Sequence, residues 1–338
     1  MTRIHFLKKG CFAIALFTIV CGFSQERTPK YINSPLQQPA YLQKGDTVMI
    51  VATAGIFKDS VKVDNSIKLL EDWGLHVKLG RYLYNQAGHF AGTDAQRTED
   101  FQNALDDASI KAIWCVRGGY GTVRIIDALD FTKFLEKPKW IIGFSDVTVL
   151  HSEIHVLGRE SMHAMMPATY DPKDKERKDA LKSFKRALFG KDLDYKTEKS
   201  DFNIEGEATG QLVGGNLSIL YSLLGSKSSI KTNGKILFIE DVGEYVYHID
   251  RMLQNLKRNG YFDNCYGLIV GGLTNVRENS TDFGRPVEQV ILDIVSEYNF
   301  PVAFDFPAGH IKDNRALILG REVTMKVKGK RATIKFKE

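Results

Sequence analysis

Cysteine is scarce in this 338-residue chain: there are four, and Cys11 and Cys21 fall within the first 24 residues. The other two, Cys115 and Cys265, lack metal-ligand spacing. An exported compartment would permit them a disulfide, but each sits in an apolar, strand-like run and reads as a buried thiol. Excess charge is scarce as well. The formal net charge is +5, and Arg3, Lys8 and Lys9 in an acid-free start account for all but +2 of it. That balance argues against a nucleic-acid partner or an anionic membrane surface. There is no internal repeat and no low-complexity tract. Beyond the start, no apolar run approaches the about 20 residues that a membrane span needs. G-x-G-x-x-G and P-loop signatures are missing, so nothing points to a nucleotide cofactor. What remains is an ordinary globular composition, long enough for one large or two medium domains.

Residues 1–24 form a sequence class of their own. A basic start precedes an apolar stretch from Cys11 to Val20, and Gly22-Phe23-Ser24 then leads to Gln25. This is the pattern of a secretory signal, which predicts export to the periplasm and no stable membrane insertion after cleavage. An uncleaved anchor is the alternative. Lipid attachment at Cys21 is disfavoured by the bulky Val20. Residues 25–42 are polar and proline-bearing and predict a flexible leader. Apolar runs at Thr47–Ala52, Lys111–Val116 and Trp140–Phe144 suit buried parallel strands, with a shorter strand at His76–Leu79. Helical periodicity covers 59–73, 94–105 (with Thr93 as N-cap) and the segment from Ser145 to about His155. The alternation predicts an N-terminal α/β domain over 43–170, with a parallel sheet and helices on both faces. Residues 171–205 are rich in Lys and Asp and read as a linker with a surface helix. A C-terminal domain over 206–338 has strands at 235–239 and 267–270, helices at 246–258 and 286–297, and a closing hairpin of 322–327 with 331–336.

Four segments could carry chemistry. Gly143-Phe144-Ser145-Asp146 places a serine at a strand-to-helix turn. This is the setting of a nucleophile elbow with N–H groups aimed at a developing oxyanion, although Val147 replaces the second Gly of G-x-S-x-G. Arg117-Gly118-Gly119-Tyr120-Gly121 follows another strand and lets backbone approach a ligand. Strand carboxyl ends in open α/β sheets are where ligands bind. Glu240, Asp241 and Glu244 cluster after a third strand, and any of them could orient a histidine. His310 could serve as general base, with His163 and His248 as rivals. Each segment also has a bland reading as a helix cap, a tight turn, a solvated acid turn or a structural histidine.

Taken together, the motifs resemble the LD-carboxypeptidases, serine peptidases that include muramoyltetrapeptide carboxypeptidase and the microcin C self-immunity proteins. The resemblance covers about residues 42–325. It rests on Ala52-Thr53-Ala54-Gly55, Gly92-Thr93-Asp94 with Arg97, the Arg117–Gly121 loop, Gly143–Asp146, Gly214-Gly215-Asn216, Glu240-Asp241 with Asp250-Arg251, and Gly309-His310. It implies a parallel-sheet N-terminal domain and a mixed, β-barrel-like C-terminal α/β domain with the active site between them. It further implies a triad of Ser145, Glu240 and His310, oxyanion N–H groups from Gly119 and Asp146, and no metal or cofactor. Arg117 and Tyr120 are the candidate substrate contacts, unless Arg117 braces its loop. The implied reaction releases terminal D-Ala from a peptidoglycan tetrapeptide. Alternatives are a hydrolase of peptidyl- or acyl-nucleotide toxins, a non-catalytic wall-peptide binder, and an enzyme using Cys115 as nucleophile. Such proteins are often homodimers. Two departures, Thr53 in place of the usual Pro and Ala164-Met165 in place of Gly-Pro after His163, are expected to reshape the cleft wall.

Overall fold

The computed structural model describes residues 33–337 except Asn279. The expected signal over 1–24, with Cys11 and Cys21, lies outside the described residues. The first half runs β1 (Thr47–Val51), α1 (Ser60–Asp72), β2 (His76–Leu79), α2 (Asp94–Asp106), β3 (Ile110–Cys115), α3 (Thr132–Glu136), β4 (Trp140–Gly143), α4 (Thr148–Val156) and β5 (Ser161–His163). The uniformly apolar strands are buried on both faces, as parallel strands between helices must be. In β1, Val48 and Ile50 pack with Val63 and Leu70 of α1, while Met49 and Val51 pack with Phe101 and Leu105 of α2. The alternation of side chains along a strand therefore places these two helices on opposite faces. Thr93 caps α2 in a reciprocal capping box with Gln96.

The second half contains α5 (Lys178–Leu188), β6 (Asp194–Lys196), β7 (Gly206–Asn216), α6 (Leu217–Ser222), β8 (Lys235–Val242), α7 (Val246–Arg258) and β9 (Gly267–Thr274). It ends with α8 (Val287–Val295), β10 (Val302–Ala303), β11 (Leu317–Leu319), β12 (Glu322–Lys328) and β13 (Arg331–Phe336). Two mixed sheets result, in the orders β11-β5-β4-β3-β1-β2 and β10-β9-β8-β7-β12-β13-β6. In the first, only β11 runs antiparallel to its neighbour. In the second, β7 to β10 are parallel and β12, β13 and β6 add antiparallel pairs. No pairing joins the edge strands β10 and β6 among the described residues, so the barrel-like expectation becomes an open sheet. No helix among them is long and apolar enough to cross a membrane.

Three boundaries differ from the sequence reading. Of the expected leader, residues 33–42 are anchored at points: Gln37 bridges to Arg159, Leu42 is buried, and Tyr41 stacks on Trp140. The segment 171–205 is more than a linker. The apolar stripe of α5 buries Ala180, Phe184, Ala187 and Leu188, and β6 forms an edge of the second sheet. The C-terminal half also returns to the first sheet through β11. One core accordingly holds Trp114 and Trp140 together with Phe238, Phe306 and Ile334.

Candidate active site

Ser145 stands at the carboxyl end of β4, with φ of 64°. That left-handed backbone is uncommon for a side-chain-bearing residue and stores roughly 1–3 kcal/mol. A short 3-10 turn over Ser145–Val147 then feeds α4. The turn closes tightly because Gly143, with φ of 158°, lies against Val147, where a Cβ would meet Cγ2 at 2.8 Å.

Two other chain segments meet Ser145 there. His310 Nε2 lies 3.1 Å from Ser145 Oγ, and His310 Nδ1 lies 2.6 Å from Glu240 Oε2. A carboxylate can only accept, so Nδ1 carries the proton and Nε2 of the neutral ring accepts the serine O–H. Glu240 is wholly buried at the end of β8, and its Oε1 has no partner among the described residues. Neighbouring acids on a strand point to opposite faces. Asp241 is turned instead to Asn216 Nδ2 and to the Ser218 N–H and hydroxyl, while Glu244 holds His248 at 2.7 Å. Of the three acids, Glu240 is thus the one whose carboxylate meets His310.

Electrostatics suit proton transfer. Burial pulls the His310 pKa down, but the hydrogen bond and charge of Glu240, aided by Asp241, outweigh it and leave it raised. The ring is held on its other side by Phe144, with centroids 4.9 Å apart in an edge-on arrangement. Its loop is fixed by Asn314, whose Oδ1 accepts the Gly309 N–H at 2.8 Å, and by Thr274, whose hydroxyl donates to the His310 carbonyl. Neither positioning residue is singled out by sequence; Asn314 only follows the His310 motif closely.

The glycine loop lies over the serine. A Cβ at Gly118 would fall 2.9 Å from Ser145 Oγ and 3.3 Å from the Asp146 nitrogen. The loop is held by Arg97, fully buried, which donates to the carbonyls of Thr53 at 2.5 Å and Gly121 at 2.8 Å. Asp146 reaches back and accepts the Thr122 N–H at 2.8 Å. Burial raises the Asp146 pKa against the pull of that contact. Arg117 donates to the Ile56 carbonyl at 2.7 Å, so it does brace the loop. Tyr120 is exposed and packs on Phe90.

Comparison with known proteins extends the match over most of the chain. Residues 48–164 match the LD-carboxypeptidase N-terminal domain and residues 209–325 the LD-carboxypeptidase C-terminal domain. The chain belongs to the LD-carboxypeptidase family. It is 37% identical over 300 residues to a probable murein peptide carboxypeptidase of Bacillus subtilis, covering 88% of this chain and 94% of that one. The crystal structure of muramoyltetrapeptide carboxypeptidase from Oxalobacter formigenes superposes with a TM-score of 0.77 at 26% identity, covering 86% of this chain and 99% of that one. The microcin C7 self-immunity protein MccF of Escherichia coli is 23% identical over 328 residues, covering 87% and 94%.

Thr53 is completely buried, and its hydroxyl lies 3.1 Å from that of Thr122. His163, Ala164 and Met165 are buried too. Both departures thus sit among buried residues. His163 sits beneath Phe144 with neither ring nitrogen hydrogen-bonded, and burial drives its pKa far down. His248 belongs to the Glu244 pair. Cys115 and Cys265 are buried free thiols; burial pushes Cys115 up to about 12 and Cys265 to about 11, so neither supplies a thiolate. Among the described residues, no cluster of three or more His, Cys, Asp or Glu could hold a metal ion.

Proposed function

We propose that this LD-carboxypeptidase family member is a serine peptidase that hydrolyses the amide joining an L-configured centre to the terminal D-Ala of a murein tetrapeptide. The observation that carries the reading is the relay from Glu240 through His310 to a serine held at a left-handed turn. His310 Nε2 takes the Ser145 proton as Oγ attacks the carbonyl carbon. Glu240 stabilises the imidazolium that forms. The N–H groups proposed to receive the oxyanion are those of Gly119 and Asp146; the Asp146 nitrogen lies 3.3 Å from where a Cβ at Gly118 would sit. Collapse breaks the C–N bond, and the imidazolium gives its proton to the leaving D-Ala nitrogen. Water, deprotonated by His310, then adds to the ester and releases Ser145. Tyr120 and the donors of Arg117 not engaged with Ile56 face the task of holding the terminal carboxylate. The N-terminal pattern of residues 1–24 assigns this activity to the periplasmic side, as a cleaved secretory product.

Mass spectrometry of products from a defined tetrapeptide, with wild type and Ser145→Ala side by side, tests the reading. Loss of one alanine by wild type alone is the expected result. Cleavage of a peptidyl-nucleotide conjugate with no action on the tetrapeptide would transfer the assignment to the immunity-type reaction. Binding of the tetrapeptide with no turnover would make the protein a wall-peptide binder.

A further inference from the structure

Helix α5 carries a second face that the catalytic reading does not use. Beside its buried stripe runs another, spaced three or four residues apart along one side of the helix. It mixes Lys178, Lys182 and Lys185, all exposed, with half-buried Leu181 and, just past the helix end, Phe189. Trp73, at the C-cap of α1, completes the apolar part: it meets the Phe189 ring edge-on at 6.3 Å, and Lys185 Nζ lies 5.1 Å from its centroid. With Lys191 at one end, these side chains line an open groove of about 460 Å³.

Lys182 shares one pocket with Asp179, Asp192 and Asp194, but most acids near the lysines are engaged elsewhere. Asp72 pairs with Lys68, Asp174 with Arg177, Glu176 with Lys312 and Asp179 with Arg315. No ion pair holds Lys178, Lys182, Lys185 or Lys191 among the described residues. An aromatic and aliphatic floor with four unpaired ammonium groups at its rim matches one kind of environment. Tryptophan settles at the level of lipid headgroups, and lysine stems lie along apolar surface while their charge reaches phosphate. A soluble polyanion would answer the charges and leave the floor unused. The small overall charge is no objection, since attraction at a surface decays within a Debye length and depends on local clustering.

We infer that the α5 groove is a docking surface for an anionic phospholipid bilayer, with Trp73, Leu181 and Phe189 at the headgroup–acyl boundary and the four lysines on phosphates. The test uses the full chain with phosphatidylcholine vesicles, with and without phosphatidylglycerol, carrying brominated acyl chains. Trp114 and Trp140 are fully buried, and the chain has three tryptophans in all, so quenching by bromine reports Trp73. Residues 1–24 contain no tryptophan and cannot generate that signal themselves. The expected result is quenching on phosphatidylglycerol vesicles, lost in Trp73→Phe. Each lysine near such a surface contributes about fivefold, so Lys182→Gln with Lys185→Gln should weaken partition roughly 25-fold. D-Ala release from a soluble tetrapeptide should stay unchanged. The inference is overturned by an absence of quenching, by equal quenching on neutral vesicles, or by partition indifferent to the lysine changes. Lysine-dependent binding of polyglutamate without vesicle binding would overturn it too, in favour of a soluble polyanion.

Discussion

Gly118→Ala probes the space where the scissile carbonyl should sit. Gly118 has no left-handed backbone, so alanine incurs no conformational strain at that position. The cost is steric: its Cβ would lie 2.9 Å from both Cβ and Oγ of Ser145. Ordinary van der Waals separation between such atoms is about 3.5–4.0 Å, so one partner must move by roughly 0.6–1 Å. Ser145 is locked by its turn and cannot absorb that shift without leaving His310 Nε2, now 3.1 Å away. A misplacement of about 1 Å costs on the order of 10²-fold in rate. The methyl also intrudes beside the Asp146 N–H, and losing an oxyanion donor costs about 10²–10³. The expected result is a fall in kcat/KM for D-Ala release of at least about 10²-fold. Overpacking should lower stability by only about 1–3 kcal/mol. Steady-state kinetics on a synthetic tetrapeptide, paired with a thermal melt, separates the two effects. Activity within threefold of wild type would refute the reasoning, because the reacting carbonyl could then not occupy the space beside Gly118.

Further outcomes follow from the same geometry. Ser145→Ala should abolish turnover, and Ser145→Gly should be equally inactive yet about 1 kcal/mol more stable than the alanine variant in denaturant melts, since glycine adopts φ of 64° freely. The His310 pKa is raised from 6.5, and the neutral ring is the active form, so activity should fall away as pH drops through a value above 6.5. Glu240→Gln removes the charge that raises it and leaves burial in place. The acid limb of kcat/KM should move to lower pH, alongside a rate loss on the order of 10⁴ from the disturbed tautomer. A limb that does not move would assign it to another group; burial holds His151 and His155 at about 4, so neither is a substitute. Chelators should leave activity intact, and loss restored by added zinc would count against the serine mechanism.

Much of the first sheet was legible because burial on both faces writes itself as unbroken apolar runs, as in β1, β3 and β4. The turn that carries Ser145 was legible because a strand ended in Gly-Phe-Ser-Asp. β7 was missed. Its sequence, Gly206–Asn216, mixes four glycines with charge, and only its partners β8 and β12 make it a strand. The glycines are there for close approach: a Cβ at Gly214 would collide with the Phe238 carbonyl and one at Gly215 with Thr148. β5 and β11, of three residues each, are too short for periodicity to register. Net charge hid the α5 lysines, because a sum over the chain carries no information about which cations share a face. The choice of Glu240 over Asp241 came from the family resemblance alone, since composition and spacing do not separate adjacent acids.

How three side chains separated by up to 165 positions meet to within hydrogen-bond distance has a structural answer in those short elements. His310 lies shortly before β11, whose Leu317 pairs with His163 of β5, and His163 pairs in turn with Gly143 of the nucleophile strand. Glu240 is the register partner of Asn216 in β7. The Asn216 N–H donates to Thr148 Oγ1 at 3.0 Å, in the first turn of the nucleophile helix. Each C-terminal member of the relay is therefore tied to the serine's own half by one strand pairing or one buried hydrogen bond. A cleft built this way needs no hinge to close for proton transfer. Arg321 and Glu160 add a buried ion pair across the same seam, with contacts of 2.5 and 2.7 Å. Removing one partner of such a pair costs about 3–5 kcal/mol, whereas a matched apolar pair can be tolerated. The seam that brings Ser145 and His310 to 3.1 Å is thus also one on which the fold of both halves depends.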